Sequence, residues 1–540
     1  METIKTPYYT RTSNPFLSRW QSAVSKVLGD KFRSENPELK SHEINSKVLA
    51  HPMMAGTNHH ITRLKNNLPL LTLDDVHSYV DQKDADNNFH PLVHAYLSQY
   101  YLQQTLEEAA KDPDSSINYT TPSPGIPPAD FPDTNANIIQ WGIAGKVWAT
   151  SHRPDPSPYY DWSKNIPDGM KKDDFMKTFS VFTIPDDSTI AILGDFGTGL
   201  ADGIEMLTSI MINQNPDFII HLGDIYYAGT DEETQAYVEM FTTAFRLAGK
   251  KVPVFSIPGN HEYYSGGTPF FKYALAMNAQ NGFPQYSQQA SYFCLRTESS
   301  NWQFLSMDTG LNSVHWYTVG GLTDTYGPWL WFSEWDWCQD KLENFGLSGG
   351  GKTVLLSHHQ LYSVTSTIND GNQVVFQSGT DAKTFQFLNA NLYNTFSDYF
   401  GEINAWFWGH EHILAIFQNN ELYGSDNEEP LKIARLVGNS GYEEWVGPKG
   451  SYGIANTNQH YATPMVELDS TMVTYFDPVL GLNVSSRFYN HGWALLKLSD
   501  ADSGIATTYW QYPVKDYLAH IPPVSQIAKP IAVNFSETIY

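Results

Sequence analysis

From about Ser180 onward, short apolar runs alternate with segments of helical periodicity. Runs such as "TIAIL" and "DFIIHL" are typical of buried strands, and each ends in a polar cluster. Between them, "DGIEMLTSIMINQN" and "SEWDWCQDKLENF" have the apolar spacing of helices. The alternation predicts an α/β domain over residues 181–515. Near its C-terminal end, "GWALLKLSDADSGIATTYWQY" predicts a closing hairpin, and residues 516–540 are expected to form a C-terminal tail.

Residues 1–180 have a different pattern of apolar positions. In "FHPLVHAYLSQYYLQQTLEEAAK" the apolar residues recur at steps of three and four, and Pro91 suits the first turn of a helix. The proline-rich stretch "TPSPGIPPADFP" favours an extended linker or loop. Residues 1–180 are therefore expected to form a mainly helical region, whose role and protein partner the sequence does not identify.

The net charge of the chain disfavours some classes of binding partner. The chain has 33 Lys and Arg residues against 58 Asp and Glu residues, a formal net charge of −25, so a nucleic-acid backbone is an unfavourable partner. An anionic substrate needs a local positive charge, which a bound metal can supply. The only cysteines, Cys294 and Cys338, are expected to be buried free thiols.

The sequence as given shows neither a signal peptide nor a transmembrane segment. The start, "METIKTPYYTRTSNPFLSRW", lacks the apolar core of a signal peptide, and no apolar run reaches the ~18 residues of a membrane span. The expectation is a chain without signal peptide or transmembrane segment, either cytoplasmic or exported by a non-classical route.

The cluster "GDFGTG" follows a strand and precedes a helix. Alone, it could cradle a phosphate at the helix N-terminus, as in dinucleotide-binding proteins. Its glycines are spaced G-x-x-G-x-G rather than G-x-G-x-x-G, however, and this interpretation leaves the other strand-end clusters without a role.

Taken together, the clusters supply oxygen and imidazole donors just after successive strands. One Asp after a strand is more often a turn residue, but five such clusters in one domain favour a shared site. Such donors suffice for two metal ions about 3.5–4 Å apart that share a carboxylate. The candidate ligands are Asp195, Asp224, Tyr227, Asn260, His358, His410 and His412.

The motifs "GDFG", "GDIYY", "GNHE", "SHHQ" and "GHEH" resemble, in order, the five motifs of the calcineurin-like metallophosphoesterases. The Tyr three residues after Asp224 is similar to that of the purple acid phosphatase branch, while Gly197 stands where many members carry His. The resemblance covers about residues 186–515. It implies a sandwich of two β-sheets flanked by helices.

The resemblance also implies roles for individual residues. Asp224 would bridge the two ions, and His261 would contact the phosphoryl group or protonate the leaving oxygen. A phenolate ligand favours Fe(III), beside Fe(II), Zn(II) or Mn(II). The implied first set of ligands is Asp195, Asp224, Tyr227 and His412, and the second is Asp224, Asn260, His358 and His410. His359 either faces the substrate or packs into the sheet.

The predicted function is hydrolysis of small-molecule phosphate esters by a metal-activated hydroxide, with an acid-phosphatase-like phosphomonoesterase as the first choice. A phosphodiesterase of the same superfamily is the close alternative, because both reactions use the same ions. A non-catalytic scaffold of the same fold is the alternative from another class. Scaffold proteins of this kind usually lack some of the metal ligands, whereas suitable residues fill every ligand position in this sequence.

Overall fold

The strands of the computed structural model form two large mixed sheets and two small hairpins. The structure describes residues 9–110, 135–150, 161–313, 328–362, 374–378, 381–385, 388–424, 429–442, 469–499, 504–515 and 520–540. The strands of this part are β1 (Val181–Ile184), β2 (Thr189–Leu193), β3 (Phe218–His221), β4 (Val254–Ser256), β5 (Cys294–Thr297), β6 (Trp302–Ser306), β7 (Lys352–Ser357), β8 (Val374–Ser378), β9 (Asp381–Phe385), β10 (Ile403–Trp408), β11 (Leu414–Ile416), β12 (Ala434–Val437), β13 (Ser470–Asp477), β14 (Leu482–Tyr489), β15 (His491–Lys497), β16 (Ile505–Tyr512) and β17 (Ile531–Ile539).

The α-helices lie mostly in the N-terminal part of the chain and on the outer faces of the sheets. Those of the described part are α1 (Pro15–Glu35), α2 (Ser41–Ala50), α3 (Pro52–Lys65), α4 (Leu73–Val76), α5 (Pro91–Ala110), α6 (Asn135–Thr150), α7 (Lys172–Thr178), α8 (Ala201–Asn213), α9 (Asp231–Ala248), α10 (Asn260–Tyr263), α11 (Met277–Gln280), α12 (Phe332–Lys341) and α13 (Ala390–Phe396). No helix within the described ranges has the length and apolar character needed to cross a membrane.

Local sequence signals explain where the helices begin and end. Asn14 caps α1 by accepting hydrogen bonds from the first turn, and Pro15 follows at a position that needs no N–H donor. Thr230 and Glu233 form a reciprocal capping box at the start of α9, which ends at Gly249 with a left-handed φ of 70°. Helix α5 begins at Pro91, as the sequence predicts.

The two large sheets pack face to face. One has the order β17-β16-β15-β2-β3-β4, with β2, β3 and β4 parallel, and the other has the order β1-β5-β6-β7-β10-β12-β11, with β6, β7, β10 and β12 parallel. Apolar side chains from both sheets, including Ile192, Ile220, Phe304 and Phe407, fill the space between them. The predicted sandwich of two sheets flanked by helices is confirmed.

The outer faces of the sandwich are covered by helices. Leu207 of α8 and Phe241 of α9 pack on the six-stranded sheet, while Trp337 of α12 and Leu392 of α13 pack on the seven-stranded sheet. Burial of each such side chain contributes about 1.5–3 kcal/mol. The predicted hairpin forms β15 and β16, and Cys294 and Cys338 are buried and unbridged, as expected.

The predicted C-terminal tail contains a strand of the sandwich. Strand β17 pairs antiparallel with β16 and forms one edge of the six-stranded sheet. Part of residues 516–540 therefore belongs to the sheet rather than extending from it.

The N-terminal helices have a core of their own, which extends to the end of the sandwich where β2 and β3 finish. Trp20, Leu97 and Trp141 lie in this core with Tyr226 and Tyr442, which belong to loops of the α/β domain. The helical region therefore packs against the edge of the sheets that carries the predicted metal ligands.

Candidate metal centre

Six of the seven predicted ligands, all except Tyr227, come together where five strands of the two sheets end. Asp195, Asp224 and Asn260 follow β2, β3 and β4 of one sheet, while His358 follows β7 of the other. The remaining two predicted imidazoles, His410 and His412, follow β10. Because the carboxyl ends of β2, β3 and β4 meet those of β7 and β10 across the sandwich, residues far apart in sequence form one cluster.

A first set of donor atoms surrounds the hydroxyl group of Tyr226. The Tyr226 Oη atom lies 2.8 Å from Asp195 Oδ1, 3.1 Å from Asp224 Oδ2 and 3.0 Å from His412 Nε2. The imidazole nitrogen of His412 is also 3.3 Å from Asp195 Oδ1. These four atoms form what we call the first donor set.

A second set surrounds the imidazole of His358. Its Nε2 atom lies 3.1 Å from Asn260 Oδ1, 3.1 Å from His410 Nδ1 and 3.3 Å from Asp224 Oδ1. These four atoms form the second donor set. Asp224 belongs to both sets, with one carboxylate oxygen in each.

The spacing of the donor atoms suits metal ions. Ligand atoms held at about 2.1 Å from one ion, at tetrahedral or octahedral angles, are separated by roughly 3.0–3.4 Å. Most of the distances within both sets fall in or close to that range. Oxygen donors with imidazoles suit Zn, Mn and Fe ions. Each donor set therefore fits one ion, and Asp224 is placed to bridge the two.

The phenol in the first set differs from the prediction. The sequence assigns this position to Tyr227, but in the structure the hydroxyl group of Tyr226 lies among the carboxylates. The ring of Tyr227 instead stacks on that of Tyr9, with centroids 4.8 Å apart. The turn after β3 decides which of two adjacent tyrosines faces the cluster, and the motif spacing alone cannot resolve that choice.

Three of the predicted ligands have strained backbone conformations. The φ angles of Asp195, Asp224 and His410 are 57°, 73° and 71°, in the left-handed region that residues other than glycine rarely adopt. Close packing adds to the constraint, since a Cβ atom on Gly259 would lie 2.2 Å from Asp224 Oδ1. Strain held in place around converging donors is typical of a functional site.

Hydrogen bonds from neighbouring groups fix the orientation of the ligands. Asp195 Oδ2 accepts from the backbone N–H of His410 at 2.7 Å. His358 Nδ1 donates to the Leu222 carbonyl oxygen at 2.8 Å, so the lone pair is on Nε2, which faces the second donor set. The amide nitrogen of Asn260 donates to Tyr264 Oη, which directs Asn260 Oδ1 towards the same set.

Burial controls the charges of the site. Burial and the neighbouring Asp224 carboxylate raise the pKa of Asp195. For Asp224 burial acts in the same direction, but His261, His358, Arg11 and the backbone N–H of His261 together outweigh it and lower the pKa. Burial also lowers the pKa of each predicted imidazole ligand, which keeps its lone pair available to a metal near neutral pH. This holds for His358, His410 and His412.

His261 lies beside the shared carboxylate. Its Nδ1 atom donates to the Tyr227 carbonyl oxygen, and its Nε2 atom is 3.8 Å from Asp224 Oδ2. Burial lowers the pKa of His261 to about 4. The backbone N–H of His261 donates to Asp224 Oδ1 at 3.2 Å, so this residue also helps to fix the bridging carboxylate.

His359 faces the second donor set. Its Nδ1 atom lies 2.9 Å from Thr309 Oγ1, and its ring centroid is 4.5 Å from that of His410. One donor atom each from His358, His359 and His410 lies within 4.8 Å of the others. Of the two alternatives for His359, the structure places its ring beside the ligands.

One cationic residue of the site, Arg11, could not be identified from the sequence. Arg11 lies 213 positions before Asp224 in the sequence, yet its Nη1 atom is 3.5 Å from Asp224 Oδ2 and 3.9 Å from Asp195 Oδ1. It belongs to no motif, and no local pattern predicts that the segment before α1 reaches the strand ends.

Solved structures similar to this chain share little sequence with it. One, described as "GAP50 the anchor in the inner membrane complex of Plasmodium", is 12% identical, with 65% of this chain and 88% of that chain covered and a TM-score of 0.37. A dimetal phosphatase from Danio rerio is 11% identical, with coverage of 66% and 100% and a TM-score of 0.35. PhoD is 10% identical, with coverage of 62% and 71% and a TM-score of 0.32.

A search of curated proteins gives no match to this chain. The comparison with family models gives a match that includes every residue of the two donor sets. Residues 188–414 match the calcineurin-like phosphoesterase family.

Proposed function

We propose that this protein hydrolyses small-molecule phosphate esters with two metal ions, and that phosphomonoesters are its substrates. The observation that carries the proposal is the pair of four-atom donor sets that share Asp224, one oxygen in each. The family match over residues 188–414 supports metal-dependent phosphoester hydrolysis as the class of reaction.

The proposed ligands follow from the donor sets. Asp195, Asp224, Tyr226 and His412 would hold the first ion, and Asp224, Asn260, His358 and His410 would hold the second. The phenol of Tyr226 favours Fe(III) in the first set, as in a purple acid phosphatase-like centre, with Fe(II), Zn(II) or Mn(II) in the second. When bound, the two ions neutralise phosphoryl oxygens and lower the pKa of water.

The chain's own residues supply the remaining functions. The Nδ1–H group of His261 is tied to the Tyr227 carbonyl, so Nε2 is the nitrogen that faces the site. We assign to that nitrogen, in the imidazolium form in which it also carries a proton, the contact with the phosphoryl group or the transfer of that proton to the leaving oxygen. Asp195 and Asp224 are fully buried, which excludes bulk water from the donor sets and strengthens their electrostatic interactions.

The surroundings of the site support a small substrate. Residues 9–14, which we call the N-terminal segment, lie beside the first donor set through Arg11 and through the stacking of Tyr9 on Tyr227. A folded protein substrate would have to displace this segment from the first donor set, which favours a small ester as the substrate.

The test is hydrolysis of an aryl phosphomonoester and an aryl phosphodiester by protein loaded with iron plus zinc or manganese. Asp224→Asn removes the shared negative charge and is expected to abolish turnover. The matched control is Asp336→Asn, on the exposed face of α12, which is expected to keep full turnover. Faster turnover of the monoester supports the proposal, and faster turnover of the diester moves the assignment to a phosphodiesterase. No turnover of either ester by metal-loaded protein favours the non-catalytic scaffold.

A further inference from the structure

The N-terminal segment is held against the metal centre at both ends. At one end, Tyr9 stacks on Tyr227, and the Tyr442 hydroxyl group donates to the Tyr9 carbonyl oxygen at 3.3 Å. At the other end, the Tyr264 hydroxyl group donates to the Ser13 carbonyl oxygen at 2.7 Å. Since Tyr264 also accepts from the amide nitrogen of Asn260, Tyr264 links the segment to the second donor set.

Arg11 lies between these two attachments, and its side chain points into the site. The side chain is 16% exposed, and its guanidinium carbon lies 5.9 Å from the ring centroid of Tyr226 and 5.7 Å from that of Tyr442. The nearest carboxylate oxygens, Asp224 Oδ2 at 3.5 Å and Asp195 Oδ1 at 3.9 Å, are the two carboxylate oxygens of the first donor set. A nearly buried cation therefore faces the first donor set from the side of the helical region.

The charge balance around Arg11 changes when ions bind. Without ions, the guanidinium group lies beside the carboxyl groups of Asp224 and Asp195. Ions held by the two donor sets would balance the charge of these carboxylates, and the guanidinium group would then be a further positive charge close to the ions. In a poorly solvated site such a charge is unfavourable unless an anion lies nearby. A phosphoryl group, with two or more negatively charged oxygens, is such an anion.

The guanidinium group also suits this anion by shape. Its planar fork of N–H donors matches pairs of phosphate oxygens, and hydrogen bonds between two charged groups are about twice as strong as neutral ones. The chain carries a net charge of −25, so an anionic substrate needs a local concentration of positive charge to bind.

We infer that Arg11 is a substrate-binding residue: it reaches from the N-terminal segment to the phosphoryl oxygens of the ester bound at the two ions. This inference rests on the proposed function and adds a role for the helical region. The N-terminal segment supplies a positive charge that the strand-end motifs do not contain.

The experiment measures binding of inorganic phosphate to metal-loaded protein by titration calorimetry, beside the metal content of each sample. Arg11→Met is expected to weaken phosphate binding by about 10-fold to 100-fold, the range for loss of charge-assisted hydrogen bonds. Arg11→Lys keeps the positive charge but loses the planar fork of N–H donors, and its affinity for phosphate is expected to lie between those of the unaltered protein and Arg11→Met. Arg246→Met, at an exposed position of α9, changes the net charge equally and should bind phosphate as the unaltered protein does.

The same variants separate this inference from the proposed function. Unaltered protein that binds phosphate but hydrolyses no ester contradicts the proposed function, and the effect of Arg11→Met on phosphate binding still decides the role of Arg11. If Arg11→Met binds metal more tightly and phosphate with unchanged affinity, Arg11 only neutralises the ion-free carboxylates and the inference is overturned. Metal-loaded protein that does not bind phosphate overturns it as well. Near-ultraviolet circular dichroism confirms that each variant is folded.

Discussion

Among the described residues, the helical region and the strand ends each bury several histidines, but the two groups of histidines have different neighbours. Four histidines of the helical region are at most 7% exposed. They are His51, which directly precedes α3, His59 and His60 of α3, and His94 of α5. At the strand ends, His358 and His412 are equally buried. Burial lowers the pKa in both regions, and it brings the pKa of His60 to about 3. Depth of burial and protonation state therefore do not distinguish the regions.

The difference lies in the neighbours of the imidazoles. His94 lies beside Phe89 and Trp141, with ring centroids 6.1 Å apart in each case, and within the described residues neither of its nitrogens has a hydrogen-bond partner. The imidazole nitrogens at the strand ends instead lie about 3 Å from oxygens of Asp195, Asp224 or Asn260. The comparison teaches that convergence with oxygen donors, rather than burial, identifies a candidate ligand.

The largest expected effect comes from removing one strand-end imidazole. His358→Ala removes a donor from the second set, and we expect kcat/KM to fall by more than about 100-fold, because loss of a group that merely orients a ligand already costs about 10-fold to 100-fold. Metal analysis should show that one ion is lost. His94→Leu, in the helical region, is the matched control and should keep both metal content and activity. Equal losses in the two variants would contradict the distinction between the regions.

A smaller effect distinguishes the two adjacent tyrosines. A phenolate bound to Fe(III) absorbs visible light, so iron-loaded protein should be coloured through Tyr226. We expect Tyr226→Phe to lose this absorption band and about 10-fold to 100-fold in activity. The loss of activity is smaller than in His358→Ala because the Phe ring still fills the space of the phenol, whereas Ala leaves a cavity among the donors. Tyr227→Phe should keep the band. If the band disappears in Tyr227→Phe and persists in Tyr226→Phe, the ligand is Tyr227, as the sequence motif predicts, and the assignment of Tyr226 is wrong.

The smallest expected effect concerns acid stability of the helical region. Burial holds the pKa of His94 well below its ordinary value of about 6.5, so this histidine is neutral in the folded protein. The unfolded chain takes up a proton below pH ~6.5, and the folded protein then loses about 1.4 kcal/mol of stability per pH unit for this group until the folded pKa is reached. The stabilisation is fully present above pH ~6.5.

Urea unfolding of ion-free protein at pH 7 and pH 5 tests this expectation. His94→Leu should reduce the loss of stability between the two pH values, because the proton uptake at this position is removed while an apolar side chain still fills the space. His77→Gln, at an exposed position, should leave the pH dependence unchanged. An unchanged pH dependence in His94→Leu would show that this histidine is protonated or hydrated in the folded protein.

The sequence predicts much of the fold and most of the site. Apolar runs that end in polar clusters correctly place Asp195, Asp224 and His358 after strands, because a buried parallel strand leaves few alternatives for its sequence. The choice between Tyr226 and Tyr227 could not be predicted, since it depends on how one turn is packed. Arg11 could not be predicted either, because its position depends on how the helical region packs on the sandwich, which no local pattern encodes.

The central claim is that two ions share Asp224. Its most direct test is the metal content of unaltered and Asp224→Asn protein after loading with iron and zinc and removal of free metal, measured by inductively coupled plasma mass spectrometry. We expect two ions per chain in the unaltered protein and at most one in Asp224→Asn, with both proteins folded. Unaltered protein that retains no ion, or an Asp224→Asn variant that retains both, would contradict the account.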